Sequence, residues 1–188
     1  GVFAGSLREA AINHPELVEK FYGRLADMEK PGIAAVNTLF AQDGFLLYVP
    51  DGVVIEKPLQ LITLLSSKVD LMVNRRILVV LGRESQAKLL LCDHALAANQ
   101  YLTIQVAEVF AGAGSRLELY DLEETHYANR RISELYVNQE ADCNVEIDYV
   151  TLHNGQTRNT VLSTFSGRGS RLSLNGIATI DKKQHVDN

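Results

Sequence analysis

Five short apolar bursts recur along the chain at a nearly constant interval, and that recurrence restricts the fold more than any other feature. Leu59-Gln-Leu61, Leu89-Leu-Leu91, Leu117-Glu-Leu119, Val145-Glu-Ile147 and Leu172-Ser-Leu174 follow one another at offsets of 30, 28, 28 and 27 residues. A second apolar, β-branched stretch precedes each burst: Phe45 to Val49, Ile77 to Leu81, Thr103 to Val109, Ile132 to Val137 and Asn159 to Thr164. A unit of strand, turn, strand and connection therefore repeats five times with a period near 28. Repeats of this length build solenoids, propellers or arrays. A propeller blade needs four strands in roughly 40 to 50 residues, whereas two strands in about 28 fit one coil of a solenoid. The short cadence of left-handed hexapeptide solenoids is not seen. The period predicts an all-β solenoid, a right-handed parallel β-helix of about five coils with two strands per coil, over residues 42–188.

The segment before it, residues 1–41, has a different rhythm and reads as a short helical cap on the solenoid. Ser6-Leu7-Arg8-Glu9 has capping-box spacing, in which an N-cap hydroxyl and a Glu three residues later satisfy orphan backbone donors. Asn13-His14-Pro15 interrupts that helix, and Leu17, Val18, Phe21 and Leu25 predict a second one reaching Lys30-Pro31-Gly32. A third is expected from Ile33 to Ala41, ended by Asp43-Gly44.

Charge excludes several function classes. Lys plus Arg is 18 against 23 Asp plus Glu, a net charge of -5, so no broad basic surface awaits nucleic acid or anionic lipid. No apolar run approaches the roughly 18 residues of a membrane helix, and residues 1–20 lack signal-peptide order. A cytoplasmic protein without membrane contact is expected. Two cysteines, Cys92 and Cys143, are too few for a disulfide scaffold.

Two near-identical octets, GAGSRLEL from Gly112 and GRGSRLSL from Gly167, invite a phosphate-cradle reading. Such a cradle needs a helix N-terminus after the glycines, and here a strand follows. At the same phase of other coils, Glu84-Ser85-Gln86 and Glu140-Ala141-Asp142 turn without glycine. The octets are expected to be turns.

Several stretches together resemble a known family. They are HPELVEKFYG from His14, AAVNTLFAQDGFLLYVPDGVVIEKPLQL from Ala34, with Pro50, Gly52 and Pro58, and the final LHNGQTRNTVLSTFSGRGSRLSLNGIATIDKKQHVDN from Leu152. The last contains Arg158, Asn159, Gly167, Gly176, Gln184 and Asp187 at the family's motif positions. This pattern is similar to the SufB/SufD family of iron–sulfur cluster assembly proteins, on its SufD side. SufB-like chains carry Glu-Gly-Cys-x-Ala-Pro in mid-molecule, where this chain reads Leu91-Cys92-Asp93-His94-Ala95-Leu96. The resemblance implies a right-handed parallel β-helix with flanking helices and a non-enzymatic scaffold role. It also implies pairing with a SufB-like partner, binding of the ATPase SufC, and a nascent Fe–S cluster in the intact complex, with no cofactor held by this segment alone. Family chains are longer, so the resemblance implies an internal segment, with the SufC-docking helices and a Cys-x-His-Gly stretch lying outside it. The last coil is then expected to present an open edge to a partner or to a second copy of the chain.

Within the sequence, Cys92 and His94 are the candidate metal ligands, because alternate strand residues share a face. Two ligands do not make a site, and His14, His126, His153, His185 and Cys143 add no supporting spacing. His126, after Glu123-Glu124, reads as a loop histidine beside carboxylates. Glu118, Glu146 and Asp148 alternate with apolar residues and are expected on an outer strand face. No catalytic residue is assigned. The competing readings are a β-helix enzyme acting on polysaccharide and a purely architectural solenoid.

Overall fold

The structure, a computed structural model, describes residues 1–29 and 32–188. The chain opens with a short strand, β1 (Phe3–Ser6), and three helices, α1 (Leu7–Asn13), α2 (Pro15–Phe21) and α3 (Ile33–Phe40). Five strand pairs follow: β2 (Gly44–Val49) with β3 (Leu59–Leu65), β4 (Leu71–Leu81) with β5 (Gln86–Ala95), and β6 (Tyr101–Ala111) with β7 (Arg116–Glu124). The last two are β8 (Arg130–Gln139) with β9 (Asn144–His153), and β10 (Gln156–Phe165) with β11 (Arg171–Ala178), before a final β12 (His185–Asp187). First members stack as one sheet, β1-β2-β4-β6-β8-β10-β12, and second members as another, β11-β9-β7-β5-β3. All described pairings are parallel except β1 with β2. The result is the five-coil β-solenoid that the period predicts. Crossovers between parallel strands of one sheet are right-handed in nearly all proteins, which is the expected hand here.

Strand alternation sorts the side chains. Leu47, Val49, Ile77, Val79, Leu81, Ala107 and Val109 of the first sheet meet Leu89, Leu91, Leu117, Leu119, Val145 and Ile147 of the second in one buried core. Burying each of the Leu, Ile and Val side chains contributes about 1.5–3 kcal/mol. Even-numbered neighbours on the first sheet, Leu46, Leu78 and Val80, point the other way and pack under α1 and α2.

The octets are turns, and the structure shows what the glycines do in them. Gly52, Glu84, Gly114, Asp142 and Gly169 occupy one position of successive coils, all with φ between 55° and 77°. The first four donate their N–H groups to Arg83, Ala113, Ala141 and Arg168 O of the next coil at 2.7–2.9 Å. A methyl group on Gly114 would collide with the Glu84 carboxylate, so the small residue makes room for the large one one coil away. Ser115, next in line, donates to Cys143 Sγ at 3.8 Å, and that thiol donates to Gly112 O at 3.1 Å. Cys143 is thus a buried turn residue. Because left-handed backbone costs a non-glycine residue on the order of 1 kcal/mol, Glu84→Gly is expected to stabilise the fold by about 0.5–1 kcal/mol. A lower urea midpoint for the variant would refute this.

At the N-terminus the structure differs from expectation in three ways. Ser6 caps α1 by accepting from Glu9 N–H, as predicted, but its hydroxyl also donates to Asp43. Asp43 in turn accepts the N–H groups of Arg8 and Gly44. Burial pushes its carboxyl up, and these hydrogen bonds outweigh that and hold it low. Residues 3–6, expected to have no strand, form β1 on the edge of β2, a run too short for periodicity to reveal. The second helix ends at Phe21, short of Leu25, because Gly23 takes φ 69° and the N–H groups of Gly23, Leu25 and Ala26 bond the buried Glu108 carboxylate. The breaker at Lys30-Pro31 lies outside the described residues. Helix α3 appears as expected, and its Asn37 amide donates to Arg75 O and Ile104 O. The helices lie against the outer face of the first sheet, while β1 covers the β2 edge. At the other end, β12 was not expected, and it pairs with the first three residues of β10.

Candidate functional site

Part of the solenoid interior is polar. Where the inward columns pass beyond Leu91 and Leu119, they continue as Leu91–Asp121–Tyr149 and Thr63–Asp93–Glu123–Thr151 on the second sheet. Opposite them run Arg75–Gln105–Ser133–Asn159 and Thr103–Arg131–Thr157 on the first sheet. Asp93, Asp121, Glu123 and Arg131 are each at most 4% exposed. Isolated charges could not remain ionised there, so pairing decides the state of each.

Arg75 forks onto both Asp93 oxygens, and also reaches Thr63 Oγ1 at 2.6 Å and Gln105 Oε1 at 2.7 Å. Arg131 pairs with Asp121 through Nη2 and lies 3.6 Å from Asp93. Burial pushes the Asp93 carboxyl up, but the two guanidinium groups outweigh it and hold Asp93 below the ordinary carboxylate range. Glu123 has no cation to itself. Burial pushes its carboxyl up, Asp121 and Asp93 reinforce the shift, and Arg131 and the Thr157 hydroxyl oppose it without reversing it. Three carboxyl groups at most 4% exposed therefore face two guanidinium groups, of which Arg75 keeps 12% of its side chain exposed. The arrangement can hold charge and a proton inside the scaffold, but it offers no substrate an approach.

The sequence-derived candidates fall elsewhere. Cys92 and His94 share the outer face of β5, but Cys92 is buried and accepts from Gln60 Nε2 at 3.3 Å, and its strand neighbours are Ile62 and Leu122. His94 Nδ1 lies 3.3 Å from Glu124. Among the described residues, no group of three or more His, Cys, Asp or Glu is placed to hold a metal ion. His126 packs edge-on to Tyr127 and His153. Glu118 and Glu146 stand side by side on the outer face, as alternation predicts. Glu118 accepts from Lys88 at 2.9 Å, and that hydrogen bond holds its carboxyl below the ordinary carboxylate range.

The family-motif residues split into two groups. Pro50, Gly52 and Gly167 build coil turns, with Val53 N–H bonding Pro50 O at 3.2 Å, and Pro58 stands exposed before β3. Arg158, Asn159, Gly176 and Asp187 converge on a cavity of about 560 Å³ beside Tyr149 in the last coil. Gln184 Nε2 donates to Asn154 O at 2.9 Å nearby. The interior charges escaped the sequence reading although a signal was present. Asp121 and Glu123 have the same parity as Leu117 and Leu119, so alternation alone places them inside.

Comparison with known families agrees with this architecture along nearly the whole chain. Residues 1–61 match the SufBD protein N-terminal region, and residues 64–188 match the SUF system FeS cluster assembly, SufBD core domain. Because the core-domain match spans the solenoid from β4 onward, the chain belongs to the SufBD family of iron–sulfur cluster assembly proteins.

Proposed function

We propose that this chain is a SufD-type scaffold subunit, acting in the cytoplasm, that pairs with a SufB-like partner and works with the ATPase SufC on a nascent Fe–S cluster. Proteins of this family serve as scaffolds in iron–sulfur cluster assembly. The core-domain match on a filled solenoid is the observation that carries the reading. Such a body offers faces and strand edges to partners, while Asp93, Asp121 and Arg131 inside it are paired with one another. The SufD-type assignment rests on Leu91-Cys92-Asp93-His94-Ala95-Leu96 at the end of β5, which departs from the SufB-like Glu-Gly-Cys-x-Ala-Pro. Cys92 there lies under Gln60, and Asp93 is committed to Arg75 and Arg131. In this reading the cluster is cargo of the complex, Cys92 and His94 do not ligate it, and the exposed faces do not act on polysaccharide.

Co-expression of the full-length protein with SufB-type and SufC-type proteins tests this, followed by anaerobic reconstitution with iron and sulfide. A stable ternary complex that builds a cluster, equally well with Cys92→Ser, is expected. Light scattering of the protein alone gives the mass of any homo-oligomer. Failure to form a complex with either partner, or loss of the cluster in Cys92→Ser, would overturn the reading.

A further inference from the structure

Strand alternation turns outward one row of the second sheet that carries no charge. Ile62, Cys92, Leu122, Val150 and Ile177 are direct neighbours across β3, β5, β7, β9 and β11. The row runs along the solenoid axis on the face opposite the core that Leu91 and Leu119 fill. Its ends are open, with Ile62 51% and Ile177 63% exposed, and Leu122 and Val150 between them are half-buried. Leu64 widens it on one side, and Leu90 and Tyr120 on the other. A sheet face in water normally reads polar at its outward positions, so a continuous apolar row marks a surface built for contact.

On the first sheet the chain covers the equivalent surface itself, because the outward Leu46, Leu78 and Val80 lie under α1 and α2. The described helices leave the second sheet's row open. Carboxylates border that row on both sides. Asp148 stands in the adjoining row, Glu118 and Glu146 in the one beyond it, and Glu124 on the opposite border. Against them these rows set one lysine, Lys88, which Glu118 already holds at 2.9 Å. Asp148 accepts from the neutral Asn175 amide at 2.9 Å, and Glu124 adjoins His94 at 3.3 Å. Arg116 and Arg171 stand farther off, two rows beyond Tyr120 and Asn175.

We propose that this face docks an amphipathic helix of a partner protein, with an apolar stripe laid along the row from Ile62 to Ile177 and flanks of lysine and arginine against the carboxylates. Five strands about 4.8 Å apart make a row about 19 Å long, which a helix of about 13 residues spans. Such a helix presents its apolar stripe through residues at i, i+3, i+4 and i+7. The acidic borders choose among apolar helices by charge, since like charges set opposite one another repel. The docking face does not depend on the SufD-type reading.

Fluorescence anisotropy of a synthetic peptide with the full-length protein tests the face. The probe is a helix of about 18 residues with leucine at those four positions of each repeat and lysine on both flanks, and the control replaces every lysine with glutamate. The lysine peptide is expected to bind at least about tenfold more tightly than the control. Ile62→Asp, at an exposed position on an edge strand, should keep the wild-type urea midpoint and weaken the lysine peptide by about tenfold or more. General attraction to an acidic protein predicts the reverse, because the variant adds a negative charge. Methyl NMR of the wild type supplies a readout that needs no variant, with shifts on binding expected at Ile62, Leu122, Val150 and Ile177. Equal binding of the two peptides, binding unchanged or tightened in Ile62→Asp, or methyl shifts confined to other surfaces would each overturn the proposal. Self-association of the wild type in light scattering that Ile62→Asp abolishes would also overturn it, by making a second copy of the chain the occupant.

Discussion

Arg131→Met is expected to destabilise the solenoid by about 3–5 kcal/mol, because it leaves buried carboxylates without their shared cation. Arg131 pairs with Asp121 and adjoins Asp93, and both acids are at most 4% exposed. Burial alone would favour the neutral arginine, but Asp121, Asp93 and Glu123 outweigh it and keep the guanidinium charged. The loss should appear as a lower urea midpoint at neutral pH with an unchanged slope. Its pH dependence follows from Asp93, whose carboxyl is held low in the folded wild type. That depressed value stabilises the wild type above the unfolded value near pH 4, and the contribution fades as pH falls through the folded one. The gap between wild type and variant should therefore narrow in acid. Adding Asp121→Leu to Arg131→Met removes the buried carboxylate that the deletion orphans and should recover at least ~1 kcal/mol. A single variant as stable as wild type, or a double variant worse than the single, would show that the layer is not a coupled charge network.

The second large effect concerns the attachment of the N-terminal segment. Glu108, on the outer face of β6, accepts N–H groups from Gly23, Leu25 and Ala26 at 2.7–3.1 Å and bonds Arg76 Nη2 at 2.6 Å. Arg76 also stacks over the Tyr22 ring, 4.6 Å from its centre, and reaches Thr38 Oγ1 at 3.2 Å. Neither partner of the ion pair has solvent to fall back on, with side chains 1% and 0% exposed. Glu108→Leu strands one guanidinium and three backbone donors at once, and a loss of about 3–5 kcal/mol is expected. Limited proteolysis should then cut first within residues 22–29, before any strand is lost. Arg76→Met combined with Glu108→Leu removes the orphaned cation and should be milder than Glu108→Leu alone. Uniform resistance to protease in Glu108→Leu would mean that the apolar contacts of Leu7, Phe21 and Tyr22 hold the segment without the carboxylate.

The repeat was legible in the sequence because each coil must bury the same inward residues against the coil beneath, which forces one phase and one spacing on every strand. The five strand pairs, the turn role of the twin octets, the Ser6 cap and α3 all follow from local chemistry repeated or capped in place. The misses have one physical cause in common. Helix α2 stops at Phe21 because Glu108, 85 residues from Gly23, offers its backbone a better acceptor than another helical turn does. β1 and β12 exist only because a neighbouring strand presents a free edge to pair with.

The candidate site shows the same division. Alternation of side chains along β7 was enough to place Asp121 and Glu123 inside, and the sequence by itself determined that this solenoid has charges in its interior. It could not say which charges would meet. Arg75 and Asp93 are 18 residues apart, Arg131 and Asp121 are 10 apart, and Glu123 and Thr157 are 34 apart. These separations encode no contact until two sheets close on one another. Only the tertiary structure decided that two guanidinium groups are shared among three carboxylates, because stacking of the coils sets the distances on which buried electrostatics depends.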